Sequence, residues 1–195
     1  MQTTTEDPFA LFEEWMAEAT AAEVNDPNAM SVATATPEGA PAVRILLLKG
    51  LDPRGFVFFS HDNGRKGHEM AANPRAALCF HWKSLRRQIR IEGAIERVSD
   101  AEADAYYASR PRLSRIGAWA SRQTTPLGSR AELEAGVAAA DARFPGEEVP
   151  RPPHWGGFRC IPSRIEFWRD MPFRLHERRV FFRAGTGWAI EMLYP

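Results

Sequence analysis

IEFWRDMPFRLHERRVFFR, residues 165–183, contains two β-type runs, 165–169 and 175–183, separated by Asp170-Met171-Pro172-Phe173, where Asp and Pro mark a turn. That is a hairpin, and it sets the sheet as antiparallel. Side chains alternate along a strand, so Arg174, His176 and Arg178 share one face, which continues into Val180 and Phe182. A core-facing stripe therefore ends in three potential cations. Burying guanidiniums without partners costs several kcal/mol each, and the neighbouring acid, Glu177, points the other way. The stripe calls for something anionic or electron-rich, although acids from elsewhere in the fold, or a bulge turning the arginines to water, would serve equally.

Outward from the hairpin, further β-rich runs lie at 29–36, 41–49, 56–60, 76–82, 87–99 and 188–193, with 161–169 extending the first arm. Pro37-Glu38-Gly39-Ala40 and the 51–55 segment are tight turns between them. Asp7 before Pro8 opens a helix over 7–24 with Phe9, Phe12, Met16 and Ala19 on one face. Helices are also expected over 65–73, after the Ser99/Glu102 capping pattern up to Arg110, where Pro111 stops it, and after Ser129/Glu132 with Leu133, Val137, Ala140 and Phe144 as a buried stripe. Residues 146–157, rich in proline, read as an ordered extended loop. The expected fold is mainly β with peripheral helices (α+β), an antiparallel barrel, closed or nearly so, in one domain spanning 1–195.

Lys and Arg total 25, matched by 25 acids, and only Lys49, Lys66 and Lys83 are lysines, leaving 22 arginines. Zero net charge removes the long-range field of a general nucleic-acid or membrane-surface binder, so any anion site is local. Cys79 and Cys160 stand far apart without a CxxC pair, the N-terminus lacks an apolar signal region, and no apolar run approaches 18 residues; a reduced, soluble, cytoplasmic protein is expected. His61, His68, His81, His154 and His176 lack metal-ligand spacing, so no metal is expected.

Three smaller sets carry chemistry. Arg65 and Lys66 open a helix at the positive end of its dipole, an unfavourable place for cations unless a phosphate binds there, with Asn63-Gly64 as a close approach; solvated side chains are the plain alternative. Arg44 and Lys49 bracket Ile45, Leu46, Leu47 and Leu48 and point to opposite faces of an unbulged strand. Tyr106 and Arg110 stack one helical turn apart with Ser114 just beyond, a phenol, a guanidinium and a hydroxyl suited to a second phosphate. Gln88 faces away from Ile89 and Ile91, able to meet a heterocycle edge or solvent.

Taken together and in order, RILLLK, RKGHEMAANPRAAL, SRPRLSRIGAW, HWGGF, IEFW and RLHER resemble the pyridoxine/pyridoxamine 5'-phosphate oxidase family, from about Asp7 to Pro195. The resemblance implies an FMN-binding split β-barrel, a homodimer with FMN at the interface, and oxidation of pyridoxine or pyridoxamine 5'-phosphate to pyridoxal 5'-phosphate by dioxygen, releasing hydrogen peroxide. By position it implies FMN contacts at Arg44, Ile45, Leu46, Leu47, Leu48, Lys49, Phe59, Ser60, Arg65, Lys66, Gln88, Gln123, Thr124, Trp168 and Arg178. Substrate contacts fall on Lys49, Tyr106, Arg110, Ser114, Arg174 and His176, with Arg174, His176 and Arg178 closest to the chemistry. The segment before Asp7 is short, Arg115 stands where Gln is more usual, Leu113 where a small or acidic residue is common, and Phe59 where Tyr is frequent. Split-barrel flavoproteins of phenazine biosynthesis share RLHER, so another aromatic substrate is the nearest rival. A non-catalytic FMN-binding module and a nucleic-acid-binding barrel are the others.

Overall fold

Glycine at position 93 marks a break in the strand register. A Cβ there would lie 2.0 Å from the Ile161 carbonyl oxygen, and the strand register shifts between Glu92 and Gly93. The structure, a computed structural model, describes residues 2–195. Its elements run β1 (Gln2–Thr4), α1 (Pro8–Ala22), β2 (Ala29–Ala35), β3 (Pro41–Leu47), β4 (Gly50–Asp52), β5 (Gly55–His61), α2 (Arg65–Ala72), β6 (Arg75–Trp82), β7 (Arg87–Arg97), α3 (Asp100–Ser109), α4 (Arg112–Ala120), α5 (Arg130–Arg143), β8 (Trp155–Arg169), β9 (Glu177–Ala184) and β10 (Gly187–Met192).

Every strand pair is antiparallel. β8 organises the sheet because its two halves have different neighbours. Residues 155–160 pair with β5, while 164–169 pair with β9, and β7 runs along the other edge of both halves. From β8 the order continues through β7, β6, β2 and β3. β3 leads directly into β4, which pairs with β5, so the ring closes back on the first half of β8. β9, β10 and β1 extend from the second half, which makes the barrel split.

Alternation fills the interior. Phe56, Phe58, Leu78, Phe80, Ile89, Ile91 and Ile165 are fully buried. α1 plugs the barrel: Phe12 meets Phe56 edge-on at 5.0 Å and Phe80 at 5.2 Å, and Trp15 meets Phe167 at 5.1 Å. Asp7 caps this helix, accepting the Phe9 N–H at 2.9 Å, and Pro8 stands at its first position as expected.

Five expectations need correction. β9 starts at Glu177, not 175, because Pro172–Arg174 form a 3-10 turn in which Phe173 and Arg174 take positive φ of 59° and 62°. Arg174 and His176 therefore precede the strand and do not alternate with Arg178 along it. Pro111 caps a further helix, α4, where only a stop was expected. β8 begins at Trp155, inside the segment read as loop, and α1 ends at Ala22 with Val24 exposed. On α5 only Ala140 is buried, with Leu133, Val137 and Phe144 half-buried.

A buried arginine locks the frame. Arg159 is 1% exposed and contacts Asp52 at 2.9 Å, Glu102 at 2.6 Å and Glu96 at 3.2 Å, tying β4, α3 and β7 to β8. Removing one member of a buried ion cluster costs up to about 5 kcal/mol, but these acids are partly exposed and can rehydrate, so about 2–3 kcal/mol is expected for Arg159→Ala. In a chain of this size that lowers Tm by about 5–10 °C in a thermal melt. Hydrogen bonds from Arg159 and from the Ser99 N–H hold the Glu102 carboxyl down at about 2. A depressed carboxyl stabilises the fold fully above its ordinary value near 4.5 and loses that contribution as pH falls toward about 2. Acid unfolding should therefore steepen below about pH 4.5, and less so in Arg159→Ala.

Candidate functional site

The turn after β5 delivers α2 with its N-terminus facing the loop 121–129. Gly67 permits this: a Cβ would lie 2.0 Å from the Asp62 carbonyl oxygen. Lys66 is thereby drawn inward to 6% exposure, its Nζ donating to Gln123 Oε1, and the Ser60 hydroxyl lies 3.4 Å from the same oxygen. The Arg65 N–H at the helix start donates to the Thr124 hydroxyl at 3.0 Å. Burial, followed by the nearby Arg44 guanidinium, pulls the Lys66 ammonium down to about 8. A buried ammonium satisfied by a neutral amide oxygen at a helix N-terminus is chemically suited to an anion.

Two expected cations of this cradle are already matched by an acid. Arg44 donates to Thr34, whose hydroxyl meets Glu69, and pairs with Glu69 itself at 3.3 Å, while Arg65 Nε reaches the other Glu69 oxygen at 2.8 Å. Glu69 is buried and held below the usual carboxylate range; burial opposes this, and hydrogen bonds from Thr34 and Arg65 overcome it. Its position four residues after Arg65 on a helix was a signal that the sequence carried.

A second hollow, about 280 Å³, is lined by Ile45, Leu46, Leu47, Lys49, Phe59, Tyr106, Arg110 and Trp155. Lys49 lies beyond the end of β3 and is exposed. Phe59, Tyr106 and Trp155 form a near-parallel stack, with Phe59 centroids 4.0 Å from Tyr106 and 5.5 Å from Trp155. Arg110 lies 5.1 Å over the Trp155 ring, and its Nη1 is buried without a hydrogen-bond partner. Leu48 is buried, and Ser114 sits half-buried in the first turn of α4, outside this lining. His61, which lacks metal-ligand spacing in the sequence, stacks 5.2 Å from His154, leaves Nδ1 without a partner and is pushed down to about 4, first by burial and then by His154.

The third cluster lies at the other end of β8. Trp168, Asp170, Met171, Pro172, Phe173, Arg174 and His176 line an open hollow, with His176 packed 4.7 Å from Trp168. Gln88, half-buried on β7, pairs in register with Trp168. Arg178 does not wait for a ligand: its Nε and Nη2 meet Glu166 Oε1 at 2.8 and 2.7 Å, and Nη1 donates to the Tyr194 carbonyl. Glu166 lies diagonally across the β8–β9 ladder, so the hairpin register contained this pair.

The site cations fall into two groups by partner. Arg44, Arg65 and Arg178 have carboxylates. Lys49, Lys66, Arg110 and Arg174 have none among the described residues, and two of them place polar nitrogens in the interior. Thirteen residues along the strand, a contour of roughly 40 Å at about 3.3 Å each, run from Trp155 to Trp168. The Lys49/Arg110 hollow and the Arg174/His176 hollow thus stand at opposite ends of β8. Among the described residues no group of three or more His, Cys, Asp or Glu is placed to hold a metal, and no helix is long and apolar enough to cross a membrane.

Comparison with known proteins covers nearly the whole chain. The family profile described as "Pyridoxamine 5'-phosphate oxidase" matches residues 16–143, and that described as "Pyridoxine 5'-phosphate oxidase C-terminal dimerisation region" matches 155–195. A pyridoxine/pyridoxamine 5'-phosphate oxidase of Azorhizobium caulinodans is 58% identical, covering 99% of this chain and 92% of that one. One from Gluconobacter oxydans is 59% identical, covering 97% and 94%. Among solved structures, PhzG from Burkholderia lata, in complex with tetrahydrophenazine-1-carboxylic acid, is 33% identical with a TM-score of 0.92, covering 97% of this chain and 93% of that one.

Proposed function

The chain belongs to the pyridoxine/pyridoxamine 5'-phosphate oxidase family and oxidises pyridoxine or pyridoxamine 5'-phosphate to pyridoxal 5'-phosphate; we propose that it does so with FMN held between two protomers and with dioxygen as the acceptor. The observation that carries the assignment of residues is the set of four site cations without carboxylates, two of them with nitrogens buried. FMN and the substrate bring two phosphates, and the buried nitrogens belong to two different side-chain sets, Lys66 at the start of α2 and Arg110 in the hollow beside Trp155, suited to one each.

Lys66, Ser60, Gln123, Thr124 and the start of α2 would hold the FMN phosphate, with Gln123 turning its amide to donate once the anion takes over Lys66. Arg44 and Arg65, tied to Glu69, shape this pocket and give up little of their charge to the ligand. Residues 45–49 would border the ring system, with Gln88 and Trp168 reaching it from a neighbouring protomer. Bound flavin would supply the two-electron acceptor for the hydride leaving C4' of the substrate, with dioxygen as the final acceptor of both electrons and two protons as hydrogen peroxide.

Lys49, Tyr106 and Arg110 would anchor the substrate phosphate, with Ser114 at the margin. Arg110 is already positioned by the Trp155 ring beneath it, so little order is lost on binding. Arg174 and His176 would hold the pyridine ring. Because they lie at the far end of β8 from Arg110, the substrate is held by two copies of the chain, consistent with a dimerisation region over 155–195. Arg178, paired with Glu166, would favour negative charge developing on bound flavin.

The direct test is the visible spectrum of the purified protein. A yellow protein whose flavin band bleaches on anaerobic addition of pyridoxine 5'-phosphate, and which releases one peroxide per product in air, fits the proposal. A yellow protein inert to that substrate would transfer the assignment to another aromatic substrate, the class of ligand seen in the PhzG complex.

A further inference from the structure

His176 is held from behind by a carboxylate that no resemblance supplied. Its Nδ1 lies 3.0 Å from Asp170 Oδ1 and 3.3 Å from the Met171 nitrogen. Asp170 is itself fixed: its N–H donates to the Arg86 carbonyl at 3.0 Å, and Oδ2 accepts from Arg86 Nη1 at 3.3 Å. The Trp168 ring, 4.7 Å from the imidazole, restricts the remaining rotation.

A neutral imidazole carries one proton, so the two contacts at Nδ1 exclude each other. Either Nδ1–H donates to Asp170 and Nε2 is a bare acceptor, or Nδ1 accepts from the Met171 N–H and Nε2 carries the proton. Only the Met171 N–H contact has hydrogen-bond geometry here, but the contact to Asp170 is the shorter, and donating to it leaves no carboxylate oxygen facing a nitrogen lone pair. We propose that Asp170 is a positioning residue that holds His176 in the Nδ1–H tautomer, so that Nε2 offers the substrate a hydrogen-bond acceptor. A substrate group reaching Nε2 must then be a donor, a hydroxyl or an ammonium. This rests on the reading of His176 as a substrate contact.

The test joins a spectrum to kinetics. Two-bond ¹⁵N–¹H correlation of the ¹⁵N-labelled protein, at a pH where the ring is neutral and with His176 assigned by its loss in His176→Ala, should show Nδ1 protonated. Asp170→Ala should move the proton to Nε2 and lower kcat/KM for pyridoxine 5'-phosphate about tenfold without changing FMN affinity. Asp170→Asn, whose amide oxygen can still accept, should restore the Nδ1–H tautomer and most of the rate. A wild-type spectrum with Nε2 protonated overturns the proposal, as does an Asp170→Ala variant with an unchanged tautomer. If Asp170→Ala switches the tautomer with kcat/KM unaltered while His176→Ala lowers it, Asp170 is not the positioning residue although His176 touches substrate. If His176→Ala is also without effect, the substrate role of His176 fails, and that of Asp170 with it.

Discussion

Arg174→Ala is expected to lower kcat/KM for pyridoxine 5'-phosphate by about 100-fold or more while the purified variant remains yellow. Arg174 is exposed, has no carboxylate among the described residues, and is aimed by a turn in which it and Phe173 both take positive φ. Two consecutive non-glycine residues in that region cost of order 1–3 kcal/mol each, strain that persists where the surroundings impose it. A guanidinium bonding a substrate oxygen is worth roughly 1.5–3 kcal/mol, and losing it together with ring orientation reaches the factor of 100. Arg174→Lys should recover little, because an ammonium lacks the planar fork. Steady-state kinetics beside the flavin absorbance reads both halves: unchanged kcat/KM removes Arg174 from the site, and a colourless variant assigns it to the cofactor instead.

Arg65→Ala with Lys66→Ala is expected to yield a protein that purifies nearly colourless, with FMN affinity reduced by roughly 10²–10³, most of it from Lys66. Lys66 is the buried cation at the start of α2 and, among the described residues, bonds the Gln123 amide, whereas Arg65 is partly neutralised by Glu69. The single variants should therefore be unequal, Lys66→Ala being the more severe. A pH dependence follows. Without ligand the Lys66 ammonium titrates at about 8, and a bound phosphate would raise that value, so binding is strongest below about pH 8 and weakens as pH rises past it. Fluorescence quenching of FMN titrated between pH 7 and pH 9.5 should show this decline in the wild type and its absence in Lys66→Met. A fully yellow double variant would remove the phosphate from the start of α2.

The β-rich architecture could be read in the sequence because alternation and turn chemistry agreed along most of the chain. Asp7-Pro8, Ser99/Glu102 and Ser129/Glu132 each begin a helix where their capping chemistry indicates. α4 was missed because Pro111 both ends one helix and caps the next, and a stop signal hides the restart. In RLHER the residue types pointed to a site, but the strand alternation assigned to them was wrong, because two left-handed residues delay the strand to Glu177. The partners of the arginines were the least legible part. Glu69 and Glu166 could have been found from helix spacing and hairpin register, whereas the contacts of Arg159 with Asp52, Glu96 and Glu102 depend on where distant elements meet. Gln123 and Thr124 sit on a loop whose position against α2 no local pattern dictates.

The sharing of each site between two copies of the chain is tested most directly by mixing inactive dimers. Arg110→Ala and Arg174→Ala, differently tagged, coexpressed and isolated as the doubly tagged heterodimer, place one defect at each end of β8 on separate protomers. If a site takes Arg110 from one protomer and Arg174 from its partner, the heterodimer holds one intact site and should show about half the wild-type kcat per dimer. If both arginines serve a site within one protomer, neither site is intact, and a heterodimer as inactive as its parents would contradict the account.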